Sequence, residues 1–279
     1  MQQETISVNG FGFECLVAGE EGQPLVIMMH NFLQTNQQWR QQIPVLAKNG
    51  YRVLAPNMRG VSPQARPEQS SAYSNDEMIG DVLALAEHEG VEAFHLVTHG
   101  WSSLIGWNLA ENNAEALLSF TALSTPHPIA LSKTVGDEQA MLDKIASFCS
   151  DNASVRLLAN NAEILRTYYQ SYGVEDDIAD LYLSRYGRAE AIQGFVHWHS
   201  MQSDELAESL QPVQVPTLYI RGSEDSFFGE KAAALCADGV DAPYAYVLID
   251  GAGHMLGEQV ADRLTDELLC HLNKLKAAA

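Results

Sequence analysis

The stretch Phe94–Trp107, FHLVTHGWSSLIGW, decides how the rest of the chain is read. Phe94 to Val97 is a short apolar and aromatic run with His95 inside it, suited to a buried strand. Thr98, Gly100, Ser102 and Ser103 then supply small residues, and Leu104, Trp107, Leu109 and Ala110 recur in a helical pattern. Strand, sharp turn and helix in that order form a nucleophile elbow, whose small residues let strand and helix pass close together around a strained middle residue. The middle residue here is Gly100, which has no side chain to attack anything. Ser102 and Ser103 are offset from the tip and read as N-cap residues of the following helix.

Working outward, Pro24 precedes LVIMMH, a continuous apolar run of the kind buried on both faces of a parallel sheet. His30 to Leu33 leave that strand as a loop. Trp39, Ile43, Leu46 and Ala47 recur at helical spacing before Asn49-Gly50, and YRVLA (Tyr51 to Ala55) is the next strand. A loop rich in Pro, Gly and Arg follows, ordered by Asn57 and Arg59, and then a helix carrying Met78, Ile79, Val82, Leu83, Leu85 and Ala86. Ile6 to Val17 alternates around Asn9-Gly10 and predicts an N-terminal hairpin. Downstream of the elbow, Leu118 to Leu123 is a strand. Residues from about 129 to 211 show helix patterns only, rich in Tyr and Trp. The strand–helix rhythm resumes at TLYIR (from Thr217), with a helix from Lys231, the strand YAYVLI and a last helix from about Glu258 to Leu275. The alternation predicts an α/β fold with a doubly wound, mostly parallel sheet. Residues 1–128 and 212–279 form its core, and 129–211 an inserted all-helical cap read as a lid.

Lys and Arg number 16 against 36 Asp and Glu, a formal charge of −20. That balance repels nucleic acid and anionic membrane and favours solubility. Cys15, Cys149, Cys236 and Cys270 are scattered, with no zinc-site spacing, as expected of reduced cysteines in a cytoplasmic protein. No signal peptide or membrane-length apolar run is visible. No GxGxxG follows the first strand and no ligand set clusters, so neither an organic cofactor nor a metal is implied.

Several fragments resemble the α/β-hydrolase fold family, in the branch of bacterial epoxide hydrolases and haloalkane dehalogenases. MRGVSPQARP is similar to that branch's RGYSPGARP loop, HLVTHGWSS to HLVGHDWGG, and LSTPHP to LSVPHP. PTLYIRGSED matches the strand and loop of the catalytic acid, and GAGHMLGE the loop of the catalytic histidine. The resemblance implies that Asp225 holds and stabilises His254, which acts as general base on a covalent ester. It also makes the backbone N–H groups of Phe32 and Trp101 the oxyanion donors. Between core and cap it implies a pocket for a small apolar molecule, near His30, Asn31, His99, Trp198 and His199. A homodimer is compatible with the sequence.

The departures concentrate at the chemistry. Gly100 stands where the family has Asp, or Ser in its esterase branches. The HG-x-P loop becomes HNFL, with Asn31 for glycine and Leu33 for proline, which predicts a reshaped oxyanion loop. GFVHWHSM resembles ALNWYRA, whose tyrosine donates to the epoxide oxygen and is replaced here by His199. Tyr168, Tyr169 and Tyr182 read first as packing in the helical lid and second as alternative phenol donors, and the missing side chain at Gly100 predicts extra room at the elbow. Three functions follow. One is a dyad-only enzyme doing general-base chemistry. Another is a pseudoenzyme that binds a small ligand or serves as an interaction module. The third is a hydrolase with a non-standard attacking group.

Overall fold

Asn9 and Gly10 both adopt positive φ, 50° and 78°. That is the requirement of the two-residue hairpin turn matched to strand twist, and it joins β1 (Gln2–Val8) to β2 (Phe11–Ala18). The computed structural model describes residues 1–134, 139–150, 152–205 and 211–278. In chain order the sheet continues with β3 (Leu25–Met29), β4 (Arg52–Pro56), β5 (Phe94–His99), β6 (Leu117–Leu123), β7 (Thr217–Gly222) and β8 (Tyr244–Ile249). Its spatial order is β1-β2-β4-β3-β5-β6-β7-β8. β1 and β2 pair antiparallel at one edge, and every pairing from β4 to β8 is parallel.

Side-chain alternation divides the interior into two layers. On β5 and β6, Leu96, Phe120 and Ala122 face the layer that also contains Trp107 and the insertion's aromatics. Val97 and Leu123 face the opposite layer with Trp39, Ile43 and Leu268. The helices of the chain's first half are α1 (Gln42–Lys48), α2 (Asn75–His88) and α3 (Ser102–Asn112). Between β6 and β7 the described residues form five helices joined by loops: α4 (Pro128–Ser132), α5 (Gln139–Phe148), α6 (Ala153–Ser171), α7 (Asp176–Tyr186) and α8 (Ala189–Glu205). α6 is broken at Asn160, Asn161 and Ala162, which sit at positive φ. The chain ends with α9 (Glu230–Leu235), α10 (Leu256–Gln259) and α11 (Ala261–Ala278). Among the described residues no helix is long and apolar enough to cross a membrane.

Two element boundaries differ from the sequence expectation. Trp39 does not belong to α1; it closes a separate 3-10 turn, Asn36–Trp39, capped by the Thr35 hydroxyl. The expected last helix is two helices, interrupted at Val260, whose φ of −140° is not helical.

The chain leaves β3 for β4 on one side of the sheet, whereas β5 leads to β6 on the other. In an open parallel sheet this reversal opens a crevice at the strands' carboxyl ends. The loop after β3 (30–35) and the turn after β5 (99–101) meet there. α8 is pinned beside them by close backbone contact: a Cβ on Gly194 would lie 2.5 Å from Gly60 Cα. The Trp198 indole N–H adds a 2.8 Å bond to Arg59 O. Arg59 is itself buried, with two 2.7 Å bonds to Asp81 and one of 2.9 Å to Glu77, so it orders the loop as expected.

Candidate active site

β5 ends at His99 and α3 begins at Ser102, with Gly100 at the tip of the turn at φ 58°. A side chain is rarely tolerated there, and Gly adopts this conformation at no steric cost. The Gly100 N–H donates to Leu123 O (3.0 Å), and Thr125 Oγ1 donates to Gly100 O (2.8 Å), fixing the tip between strands. Ser102 is not the helix cap, which is Trp101 and has no side-chain bond. Its hydroxyl instead accepts from His99 N and lies 3.1 Å from Met29 O. Thr98 Oγ1 donates to Ser103 Oγ (2.9 Å). Buried hydrogen bonds thus satisfy the hydroxyls that crowd this turn.

The elbow holds no spare room. A Cβ added to Gly100 would lie 2.0 Å from Asn31 Oδ1, 2.3 Å from Cγ and 2.7 Å from Nδ2. The Asn31 carboxamide therefore fills the volume that the sequence left open, and the expected space at the elbow is corrected by this finding. Its Oδ1 accepts from Phe32 N (2.7 Å) and Trp101 N (2.9 Å), two N–H groups converging on one oxygen as in an oxyanion hole. Its Nδ2 faces His254 Nε2 at 3.0 Å. Because Oδ1 must accept both backbone bonds, the amide cannot be flipped, and His254 Nε2 must be the acceptor. The loop is reshaped as well: Leu33 has φ 56°, which a proline ring forbids.

With Nε2 accepting, the His254 proton sits on Nδ1 and is donated to Asp225, 3.1 Å from Oδ2 and 3.2 Å from Oδ1. Both side chains are buried. Burial alone would raise the Asp225 carboxyl, but His254, its N–H bond and the Phe227 amide (2.9 Å) outweigh that and hold it below its usual range. Phe227 stacks on the His254 ring at 4.0 Å. Gln259 ties this loop to the insertion, accepting from Gly253 N (2.9 Å) and donating to Tyr172 O (2.8 Å).

His30 and His99 are fully buried, and each has both ring nitrogens engaged by the protein. His30 Nδ1 donates to Asn31 O (2.9 Å) and Nε2 accepts from Met58 N (3.1 Å). His99 accepts from Gln38 Nε2 at Nδ1 (2.8 Å) and donates from Nε2 to His254 O (2.8 Å). Gln38 also accepts from Asn31 N (3.0 Å), so Asn31, Gln38, His99 and the His254 loop form one chain of bonds. These two histidines hold loops and spend both ring nitrogens on the protein. Burial lowers His30 to about 4, and burial with the neighbouring His254 lowers His99 to about 3. Such groups take up protons on unfolding near pH 6.5, so their contribution is fully present above that value and is lost as pH falls toward 4. For His30 the loss is about 2 kcal/mol at about pH 5. Chemical denaturation at about pH 7.5 and about pH 5 should show this decline; equal stability at both would refute it.

On the insertion side, Trp198 stacks on Trp101 (4.5 Å between centroids). His199 meets Phe32 edge-on at 4.7 Å and lies 6.2 Å from the Trp101 ring. Burial lowers His199 to about 4, so it is neutral near pH 7. Trp101 Nε1 and His199 Nε2 are buried without a hydrogen-bond partner among the described residues. Of the insertion's tyrosines, Tyr169 bonds Leu33 O and Tyr186, and Tyr182 bonds Glu258 and accepts from Gln34 (3.0 Å). Both brace the loop after β3. Tyr168 packs on Phe148 and Tyr172. Among the described residues no three His, Cys, Asp or Glu side chains are placed to hold a metal.

The chain belongs to the alpha/beta hydrolase fold family, whose model matches residues 24–259. It is 27% identical to Epoxide hydrolase A of Mycobacterium tuberculosis over 98% of each chain. It is 28% identical to the AB hydrolase superfamily protein YfhM of Bacillus subtilis, over 91% of this chain and 92% of that one. Among solved structures, epoxide hydrolase A of Mycobacterium thermoresistibile superposes with a TM-score of 0.84 at 24% identity, covering 98% of each chain. Within the family the chain is epoxide-hydrolase-like.

Proposed function

We propose that this protein uses Asp225 and His254 as an acid–base pair on a small apolar molecule bound between the sheet and a helical cap (129–211), with no covalent intermediate on residue 100. One observation carries the reading: the His254 imidazole is clasped by Asp225 at 3.1 Å, beside an elbow whose tip residue has no side chain. A positioned base of this kind serves elimination, addition or direct activation of water. To reach His254 Nε2 the molecule displaces the Asn31 carboxamide, freeing the Phe32 and Trp101 N–H groups for its own developing charge. The unpartnered Trp101 Nε1 and His199 Nε2 support a ligand with at least one polar atom.

A second reading, a ligand-binding pseudoenzyme, is favoured by Asn31 itself, which occupies both backbone donors and the base at once. A panel of epoxides, haloalkanes, esters and β-halo ketones separates the two, with turnover measured for the native chain and His254→Gln, and binding followed by Trp fluorescence. The expected result is turnover of at least one compound, lowered roughly 10²-fold or more in the variant. Binding without turnover replaces the first reading by the second. An adduct on the elbow, or turnover indifferent to His254→Gln, sinks it.

A further inference from the structure

Asn31 is the one polar side chain in the site whose every amide atom meets catalytic-type geometry. Its carbonyl oxygen sits between two backbone N–H groups at 2.7 and 2.9 Å. Its nitrogen is 3.0 Å from Nε2 of His254, which is oriented by a buried carboxylate. In acyl transfer those are the places of the developing oxyanion and of the leaving amine. The site thus holds an amide of its own chain as it would hold an amide substrate.

We propose that Asn31 is a self-processing residue: the Asp225–His254 pair hydrolyses its carboxamide and leaves aspartate at position 31. Water is the co-reactant. The Nδ2–H bond to His254 Nε2 is released to admit the water, whose proton passes to Nε2 as its oxygen bonds to Asn31 Cγ, and the carbonyl electron pair moves onto Oδ1 between the Phe32 and Trp101 N–H groups. Collapse breaks Cγ–Nδ2, and the proton on His254 goes to the departing nitrogen, which leaves as ammonia. The product carboxylate stays within reach of His254 and fills the volume where a residue 100 side chain would lie, since the Asn31 amide atoms are 2.0–2.7 Å from that Cβ position. It restores to the elbow the carboxylate that Gly100 lacks. The inference rests on the reading that Asp225 and His254 form a working acid–base pair.

A competing route, attack by the Phe32 backbone nitrogen to give a succinimide, leaves isoaspartate as well as aspartate. It has no need of His254. Asn9, exposed and followed by Gly10, serves as an internal reference for that background chemistry. The experiment incubates freshly purified full-length chain in heavy-oxygen water near neutral pH. Peptide mass spectrometry then follows position 31, in the native protein, His254→Gln and Asp225→Asn. Expected is conversion at position 31 to aspartate alone, with one heavy oxygen, slowed roughly 10²-fold or more in His254→Gln and slowed also in Asp225→Asn, while Asn9 is unaffected. Two variants guard against one that fails to fold. An intact amide at position 31 after Asn9 has converted overturns the proposal, as does isoaspartate at 31 or a rate independent of His254. If the amide stays intact while small molecules are turned over with His254 dependence, this inference fails and the functional reading stands. If position 31 converts as expected and no small molecule is turned over, only that reading fails.

Discussion

Gly100→Asp alone is expected to leave the protein inactive on epoxides and haloalkanes, whereas Asn31→Gly combined with Gly100→Asp is expected to raise hydrolysis roughly 10³-fold or more over the native chain. The covalent route that the sequence resemblance implies needs a carboxylate at the elbow, and Asp225 and His254, the proposed acid–base pair, already lie hydrogen-bonded beside it. The single substitution meets an occupied site. Its Cβ lies 2.0 Å from Asn31 Oδ1, far inside contact distance, and Asn31 is held by three hydrogen bonds of 2.7, 2.9 and 3.0 Å. Losing those bonds in a buried setting costs about 1 kcal/mol each or more, and a non-glycine residue at φ 58° adds a further 1–3 kcal/mol of strain, roughly. The misplaced Asn31 would still block the Phe32 and Trp101 N–H groups. Removing it as well clears the volume and both donors. Rates on haloalkanes should gain more than rates on epoxides if, as the sequence resemblance implies, His199 replaces a tyrosine that assists epoxide opening. Turnover is measured for both variants, and mass spectrometry of acid-quenched reactions looks for an ester on residue 100. Equal activity of single and double variants would show that Asn31 is no obstacle, and a folded but inert double variant would show that more than the nucleophile has been lost.

The sheet and its crossovers were legible because buried parallel strands are written as continuous apolar runs, such as Leu25–Met29 and the strand of Thr217–Gly222, and each is followed by helical spacing. The loops of Asp225 and His254 were legible from motif, and they meet in space as a resemblance to known sequences implies. Asn31 was read as a replacement for a permissive glycine in a reshaped oxyanion loop and as a neighbour of the pocket, not as the side chain that fills the elbow. Its real placement depends on a loop after β3 bringing a side chain across to a turn after β5, a contact between residues 70 positions apart that no local pattern encodes. A signal did exist, in two changes of opposite sense: a side chain gained at position 31 and one lost at position 100. Trp39 and Val260 were misplaced for a different reason. Both carry the apolar character of a helix face, but the chain bends at each, at the 3-10 turn before α1 and at the break between α10 and α11. The role of the two buried histidines was not legible, because a His next to a site reads the same whether it offers a nitrogen to a ligand or spends both on loops.

Gly194→Ala is expected to destabilise the protein by about 2–3 kcal/mol, although in most helices the same change stabilises. Alanine is favoured over glycine in a helix interior by about 1 kcal/mol, and Gly80 in α2 shows the ordinary case, where an added Cβ meets nothing nearer than Asn9 Nδ2 at 3.9 Å. At Gly194 the Cβ would stand 2.5 Å from Gly60 Cα and 3.1 Å from its carbonyl atoms. Those are backbone atoms of the loop that Arg59 anchors to Asp81 and Glu77, so neither side can yield cheaply. The overlap therefore outweighs the propensity gain, and α8 must move away from the core. The consequences reach the site, because α8 carries Trp198, which bonds Arg59 O and stacks on Trp101, and His199, which packs on Phe32. Trp101 and Phe32 are the residues whose N–H groups hold Asn31. Denaturant unfolding of Gly194→Ala and Gly80→Ala should thus give shifts of opposite sign. The near-UV dichroism of the stacked indoles should fall only in the first. If both variants gain stability, the backbone contact between Gly60 and Gly194 is not what fixes α8 beside the candidate site.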